Sequence, residues 1–276
     1  MTKRYGILAY PAKHSLSPAL HNAAFKALGI DAAFEFFEIP EEDFDGFMKS
    51  LVENGISGLA VSLPYKETIM KYLDEVDEAA KEIGAVNTVV NRDGRLYGYN
   101  TDYIGVERAL EGIELKNKSC VVIGAGGAAR GVLYALLKKG ARVGVYNRTK
   151  AKAEELAKYF EKIFAVEIEH GDLQEMTESE GDILINTSSI WLDGSAKLED
   201  LVPEAYIKKF SVVMDIIYKP LITPLIEAAK KVGASGLTGD KMFLYQAMEQ
   251  FKLWTGKEAP EEAFSYALES QHLPHL

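Results

Sequence analysis

Ser119-Cys120-Val121-Val122-Ile123-Gly124-Ala125-Gly126-Gly127-Ala128-Ala129-Arg130-Gly131 passes from an apolar run through clustered glycines into an alanine-rich segment. The apolar part predicts a buried strand over residues 119–124, and the part after it predicts a helix over 127–139. Gly-x-Gly-x-x-Gly/Ala at a strand-to-helix junction is the setting in which this pattern binds a dinucleotide. Gly124 permits the tight turn, Gly126 lets the main chain approach a pyrophosphate, and Ala129 allows close packing of helix on strand. Gly127 and Ala128 open the helix, whose free N–H groups and positive partial charge suit phosphates. Cys120 reads as a small buried residue of the strand rather than a reactive thiol.

The next strand, predicted at residues 142–146, selects the cofactor. NAD sites place an acid there, about 20 residues on, to hold the ribose 2′-hydroxyl. This chain has Asn147-Arg148-Thr149 instead. Arg148 can grip a 2′-phosphate bidentately and stack on adenine. Lys152 adds charge from the following helix, so NADP is expected over NAD. Spacing alone leaves the cluster Arg142, Arg148, Lys150 and Lys152 open to a second reading, a solvated helix face.

Strands and helices alternate on either side of this unit. Downstream, strands are predicted at residues 182–186 and 212–217, with helices at 151–160, 224–232, 242–254 and 261–268. Residues 169–181 are polar and show no clear period. Upstream, strands are predicted at residues 5–10, 33–39, 58–63, 85–90 and 96–99, with Asp93-Gly94 signalling a hairpin. Helices are predicted at residues 17–29 and 43–52, with another starting at Pro64. Ser17 looks like an N-cap with Pro18 at the first helical position. The pattern argues for an α/β protein with mainly parallel sheets. Residues 1–103 with 239–276 form an N-terminal α/β substrate domain to which the C-terminal helices return. Residues 104–238 form a Rossmann-like dinucleotide-binding domain.

Composition narrows the function. The 276 residues suit two cores, and a net charge of −10 argues against non-specific nucleic-acid binding. No apolar run approaches the ~20 residues of a membrane span, so no membrane association is expected. The first residues lack the features of a secretion signal, and a single cysteine fits a reducing cytoplasm. His14, His21, His170, His272 and His275 show no metal-ligand spacing, and no metal is expected.

Open α/β sheets bind ligands beyond the carboxyl ends of their strands. Polar groups cluster at such ends in His14-Ser15-Leu16-Ser17-Pro18, in Ala60-Val61-Ser62-Leu63-Pro64-Tyr65-Lys66, in Gly84-Ala85-Val86-Asn87-Thr88 and in Asn100-Thr101-Asp102. For Ser17, simple helix capping remains an alternative to ligand binding.

These segments, in this order, resemble the shikimate dehydrogenase family over nearly the whole chain. Ser15-Leu16-Ser17-Pro18 resembles the family's Ser-x-Ser-Pro, and Lys66 follows Pro64 as in Asn-Val-Thr-x-Pro-x-Lys. Gly84–Thr88 and Asn100–Asp102 resemble Gly-Ala-Val-Asn-Thr and Asn-Thr-Asp. Asp215-Ile216-Ile217-Tyr218-Lys219-Pro220, with Thr223-Pro224-Leu225, resembles a further segment, and Met242 and Gln246 fit the last motif. The resemblance implies reversible, NADP-dependent interconversion of 3-dehydroshikimate and shikimate. It implies Lys66 and Asp102 as the catalytic pair and Ser15, Ser17, Ser62, Asn87, Tyr218 and Gln246 as substrate ligands. Ser188, Gly239 and Met242 join Gly124–Ala129, Asn147, Arg148, Thr149 and Lys152 around the cofactor.

The chain also departs from the family pattern. Ala60 stands where the family has Asn, and Ser62 where it has Thr. Tyr99, Tyr103, Trp191 and Lys241 are bulkier than the usual residues. These changes keep open a dehydrogenase of quinate or another cyclohexane polyol acid, and, in a different class, a non-catalytic NADP sensor. The expected partner is a small-molecule substrate. The sequence leaves the oligomeric state open, a homodimer included.

Overall fold

The computed structural model describes residues 2–192 and 196–272, so His275 lies outside the described residues. The chain divides into two units, Met1–Asp102 with Leu244–Leu276, and Tyr103–Phe243. Residues 103 and 239–243, expected with the first domain, fall in the second unit, and their contacts give the reason. The Tyr103 ring meets Tyr134 edge-on at 5.2 Å, and Phe243 stacks on Tyr218 at 4.0 Å. Gly239 sits so close to the Ile216 carbonyl that a Cβ there would meet its oxygen at 2.2 Å.

The first unit is built on strands β1 (Lys3–Ala9), β2 (Ala32–Glu38), β3 (Ile56–Val61), β4 (Glu75–Val76), β5 (Thr88–Arg92) and β6 (Arg95–Tyr99). Their order is β2-β1-β3-β5-β6-β4. β1 runs parallel to β2 and β3, but β5 is antiparallel to both β3 and β6, so this sheet is mixed rather than mainly parallel. The hairpin accounts for the reversal between β5 and β6: Asp93 and Gly94 both have positive φ, 53° and 88°, the backbone of a two-residue turn that matches strand twist.

Helices α1 (Ser17–Ala27), α2 (Phe44–Ser50) and α3 (Glu78–Ile83) belong to this unit. Pro64 does not begin a helix. Residues 64–67 form a turn, and a short 3-10 helix, Thr68–Tyr72, follows. Alternation along β1 sends Leu8 to one face, where it packs with Phe44, Leu59, Val61, Tyr65 and Val89. It sends Tyr5 to the other face, against Phe25 and Trp254.

The second unit contains β7 (Ser119–Ile123), β8 (Arg142–Tyr146), β9 (Glu169–Gly171), β10 (Ile183–Asn186), β11 (Val212–Asp215) and β12 (Ser235–Leu237). The order β12-β11-β10-β7-β8-β9 is parallel throughout. The winding direction reverses between β7 and β10, and dinucleotides bind beyond the strand ends at such a point. The unit's helices are α4 (Asp102–Ala109), which starts at the junction, α5 (Gly127–Lys138), α6 (Lys150–Phe164), α7 (Leu173–Met176), α8 (Glu204–Ile207) and α9 (Pro224–Lys231). The polar stretch at 169–181 resolves into β9 and α7, the latter opened by a capping box between Asp172 and Glu175. α10 (Asp240–Thr255) carries the chain back into the first unit, and α11 (Glu261–His272) follows there.

Asp215, at the end of β11, is fully buried. It accepts hydrogen bonds from Asn186 Nδ2 at 3.0 Å, Ile217 N at 3.1 Å and Thr223 Oγ1 at 2.7 Å. Burial pushes its carboxyl up to about 6, against the pull of those three donors. The folded state therefore binds this proton more tightly than the unfolded chain, whose aspartates titrate at about 3.9. The associated stability is complete below about pH 4 and is lost as pH rises through about 6, a change of roughly 3 kcal/mol. Asp215→Asn stays neutral and should gain on the parent across that window. Thermal melts of both proteins from pH 4 to 7 test this; a Tm difference that does not vary with pH would contradict it.

Candidate active site

Several loops meet at one end of the first unit's sheet. β1 and β3 are parallel neighbours and end together, Leu8 opposite Val61. The loops that follow are tied by Ser62 N donating to Leu8 O at 2.9 Å and Tyr10 N to Leu63 O at 3.0 Å. Antiparallel β5 begins at this end, with Thr88 opposite both Ala60 on β3 and Tyr99 on β6. Residues 10–17, 62–66, 87 and 100–102 are thereby gathered by strand register alone.

Ser15 and Ser17 lie in the first of these loops. The Glu38 carboxylate clamps it by accepting from Ala12 N at 2.9 Å and Lys13 N at 3.2 Å, which lowers the Glu38 pKa. Ser17 is not the N-cap of α1. Leu16 holds that position without a side-chain cap, and Ser15 Oγ accepts from Ser17 N at 3.2 Å. Ser15 Oγ also donates to Ser17 Oγ at 3.1 Å, so the two hydroxyls form a pair. The half-buried Ser62 makes no side-chain hydrogen bond among the described residues.

Lys66 is positioned by its neighbours on both sides. The Tyr65 ring stacks on Phe44 and its hydroxyl donates to the Ile39 carbonyl, while the Lys66 carbonyl accepts from Val86 N at 2.7 Å. Lys66 Nζ donates to Asp102 Oδ2 at 2.6 Å, the two side chains being 13% and 6% exposed. The other carboxylate oxygen accepts from Asn87 Nδ2 at 2.8 Å. Asn87 Oδ1 accepts from Thr101 N and from Thr88 Oγ1, both at 2.7 Å, which leaves the amide nitrogen facing Asp102. Asn100 completes the turn by donating to the Ala85 carbonyl and accepting from Asp102 N. Gln246 on α10 reaches the same point, with Oε1 3.4 Å from Asn87 Nδ2 and its carbonyl accepting from Thr101 Oγ1 at 3.0 Å. The result is a sheltered ammonium group, held by a carboxylate and surrounded by amides and hydroxyls. As an ammonium it can donate a proton to an oxygen placed beside it, and as the neutral amine left behind it can take one back.

In the second unit, Gly124 has φ +110°, and a Cβ on it would meet Thr187 Oγ1 at 2.4 Å. Thr187 is fixed there because its hydroxyl and its main-chain N–H both donate to the Ile123 carbonyl at 2.7 Å. Glycine is thus required where the end of β7 passes the end of β10. Gly126 is the N-cap of α5 and brings no side chain to the helix's first N–H groups.

Comparison with known proteins decides the family. Residues 7–89 match the shikimate dehydrogenase substrate binding domain, residues 106–231 the shikimate / quinate 5-dehydrogenase domain, and residues 241–267 the shikimate 5′-dehydrogenase C-terminal domain. The NADP(+) shikimate dehydrogenase of Pyrococcus abyssi is 43% identical over 259 residues, covering 92% of each chain. The chain belongs to the shikimate dehydrogenase family. A crystal structure of a shikimate dehydrogenase in complex with NADP+ superposes with a TM-score of 0.90 at 38% identity, covering 99% of this chain and 96% of the other. The Thermus thermophilus enzyme in complex with NADP(H) and shikimate gives 0.83 at 36% identity, with 98% and 100% covered.

Dinucleotide phosphates are held by uncovered main-chain N–H groups at a helix start, and α5 of the second unit offers such groups. A Cβ on the exposed Gly126 would meet nothing within 4 Å, which leaves room over the uncapped start of α5. Gly127 and Ala128 supply N–H groups of that first turn, and Ala129 is fully buried beneath it. Of the basic cluster, Lys150 is paired with Glu175, and Arg142 lies in the field of Asp182. Arg148 and Lys152 are exposed and form no ion pair among the described residues. They stand beside Asn147, whose amide holds the Thr149 carbonyl at 3.0 Å. The solvated-face reading therefore suits Lys150, and the anion reading suits Arg148 and Lys152. Ser188 is held by Asn186, through Oγ at 2.7 Å and N at 3.0 Å. Met242 is buried in the first turn of α10. Burial pushes the Cys120 thiol up to about 12, which makes it inert.

The structure brings together Lys66, Asn87, Asp102 and Gln246, and separately pairs Ser15 with Ser17. Tyr218 belongs to the second unit, stacked on Phe243. The sequence reading missed Thr88, Thr101 and Gln250 as parts of the Asn87 network. Gln250 had a signal: it lies four residues from Gln246 and so on the same helical face. If Arg148 holds a 2′-phosphate, Arg148→Ala should weaken NADP binding roughly ten- to a hundredfold, the worth of a lost charge-assisted contact. NAD binding should change little. Isothermal titration with both cofactors checks this, and equal losses for the two would exclude the role.

Proposed function

We propose that this chain catalyses the reversible NADPH-dependent reduction of 3-dehydroshikimate to shikimate, a step in aromatic amino acid biosynthesis. The observation that carries the reading is the sheltered Lys66–Asp102 ion pair, with Asn87 and Gln246 around it, in a chain of this family. NADPH, when bound, supplies the hydride that adds to the ketone carbon. Gly124, Gly126, Gly127, Ala128 and Ala129 would hold its pyrophosphate, and Asn147, Arg148, Thr149 and Lys152 its 2′-phosphate. Ser188, Gly239 and Met242 would line its other end.

Lys66 donates the proton that the ketone oxygen needs as charge builds there, and takes it back in the oxidative direction. Asp102 keeps the ammonium group in place. Asn87 and Gln246 hydrogen-bond ring hydroxyls, while Ser15, Ser17, Ser62 and Tyr218 bind the carboxylate end. The intact ion pair speaks against a non-catalytic NADP sensor. The similar Thermus thermophilus enzyme, solved in complex with NADP(H) and shikimate, supports shikimate over quinate as the preferred substrate. The lone, buried Cys120 supports a cytoplasmic location, and a homodimer is the assembly to be tested by light scattering.

Lys66→Ala should lower turnover by roughly 10²–10⁴-fold, the usual worth of a general acid–base. Asp102→Asn should also slow turnover, and the double variant should lose less than the two losses combined. NADP dissociation constants should hold, because the cofactor residues belong to the other unit. Turnover at saturating shikimate and NADP decides: near-parental rates in Lys66→Ala would leave it at most a binding residue, and faster turnover of quinate by the parent would reassign the substrate.

A further inference from the structure

Three buried side-chain groups in the first unit, the His21 imidazole, the Tyr72 hydroxyl and Gln250 Oε1, have no hydrogen-bond partner among the described residues. His21 and Gln250 are neighbours: the Gln250 side chain lies close enough to the ring to raise its pKa against the larger, opposite effect of burial. His21 lies in an aromatic box, stacked on Phe34 at 4.5 Å and edge-on to Trp254 and Phe264 at 5.0 and 5.4 Å. Burial there pushes its pKa down to about 3, so it stays neutral and takes no part in proton transfer near neutrality. What fixes the orientation of the Gln250 carboxamide is its other end. Gln250 Nε2 donates to the Asn87 main-chain carbonyl at 3.0 Å and to Thr88 Oγ1 at 3.1 Å. A carbonyl can only accept, so the nitrogen must face the strand and Oε1 must face the box.

The consequence runs toward the catalytic pair. With Gln250 donating to it, the Thr88 oxygen is occupied, and its own proton goes to Asn87 Oδ1 at 2.7 Å. Asn87 Nδ2 donates onward to Asp102 Oδ1 at 2.8 Å, and Lys66 Nζ donates to Asp102 Oδ2 at 2.6 Å. From Gln250 through Thr88 and Asn87 every donor points toward the carboxylate.

We infer that Gln250 is a positioning residue for the reaction: by bracketing Thr88 and the Asn87 main chain it aims the Asn87 amide at Asp102. The inference rests on the reaction proposed above, yet it is read as ratios to the parent and by a probe that needs no activity. Four variants test it: Gln250→Met, Thr88→Val, Thr88→Ser, and Gln250→Met with Thr88→Val. Gln250→Met and Thr88→Val should each lower kcat for shikimate oxidation roughly three- to tenfold, the scale of one lost buried hydrogen bond. Thr88→Ser keeps the hydroxyl and should stay near the parent. The double variant should lose no more than the worse single one. The NADP dissociation constant should not move, and the Asn87 side-chain amide resonance should shift in Gln250→Met. Parental kcat with an unmoved resonance in Gln250→Met, or multiplying losses in the double variant, would overturn the inference. If Gln250→Met does not fold, the Thr88 pair decides: loss in Val with retention in Ser supports the relay, and parental rates in both refute it. A parent inactive on shikimate would count against the proposed reaction, and the Asn87 resonance would still decide the role of Gln250.

Discussion

Removing Lys66 and Asp102 from water costs several kcal/mol per ion before their mutual attraction is counted. That cost governs the arrangement around them. The pair is tolerable only if the carboxylate's remaining lone pairs meet donors, and the donor available is the amide of Asn87. Once Asn87 turns its nitrogen inward, its oxygen must find donors of its own, which Thr101 N and Thr88 Oγ1 provide. Those two residues sit at the end of β6 and the start of β5, so the hairpin register becomes part of the site's electrostatics. A buried ion pair of this kind is weak evidence for stability. Its position at the end of a sheet, where ligands of open α/β sheets bind, fits the catalytic role proposed for it.

The second unit meets the opposite requirement. Instead of shielding charge, it must present main-chain N–H groups and leave space before them. Gly124 is forced by the close passage of Thr187, whereas Gly126 has empty space where a side chain would be. The first glycine is required by the fold and the second leaves open the space that the proposed cofactor role needs, although both belong to one motif. Asp215 behaves like the first unit's buried carboxylate on a smaller scale. It is fully buried, receives three donors, and ties the ends of β10 and β11 to the turn that starts α9.

Much of this was legible in the chain, and the reasons differ by region. The strand–glycine–helix junction at residues 119–131 is local, so its dihedral and packing demands are written in adjacent residues. The absence of an acid at Arg148 was legible for the same reason. The mixed sheet was less so. Asp93-Gly94 signalled the hairpin, but no local pattern says that β5 pairs with β3 in reverse. Ser17 was misread as a cap because serine before proline at a helix start fits that role, whereas the helix begins one residue earlier, with Leu16 at the N-cap and the Ser17 hydroxyl paired with Ser15. Pro64 was misread as a helix start because proline's fixed φ suits a tight turn as well as the first turn of an α-helix, and here a turn and a short 3-10 helix follow it.

What sequence could not reach is the polarity of the hydrogen-bond network. Residue types say which groups can donate, but the direction of each bond depends on which partners are already occupied. Thr88 can donate or accept. It donates to Asn87 because Gln250, 162 residues away in sequence, fills its oxygen. Gln250 in turn has its orientation set by a main-chain carbonyl and not by the histidine on its other side. A motif made of Gly84–Thr88 and Asn100–Asp102 therefore names the atoms of the site without determining their orientation. That orientation comes from a helix at the far end of the chain, through contacts that no spacing rule within either motif records.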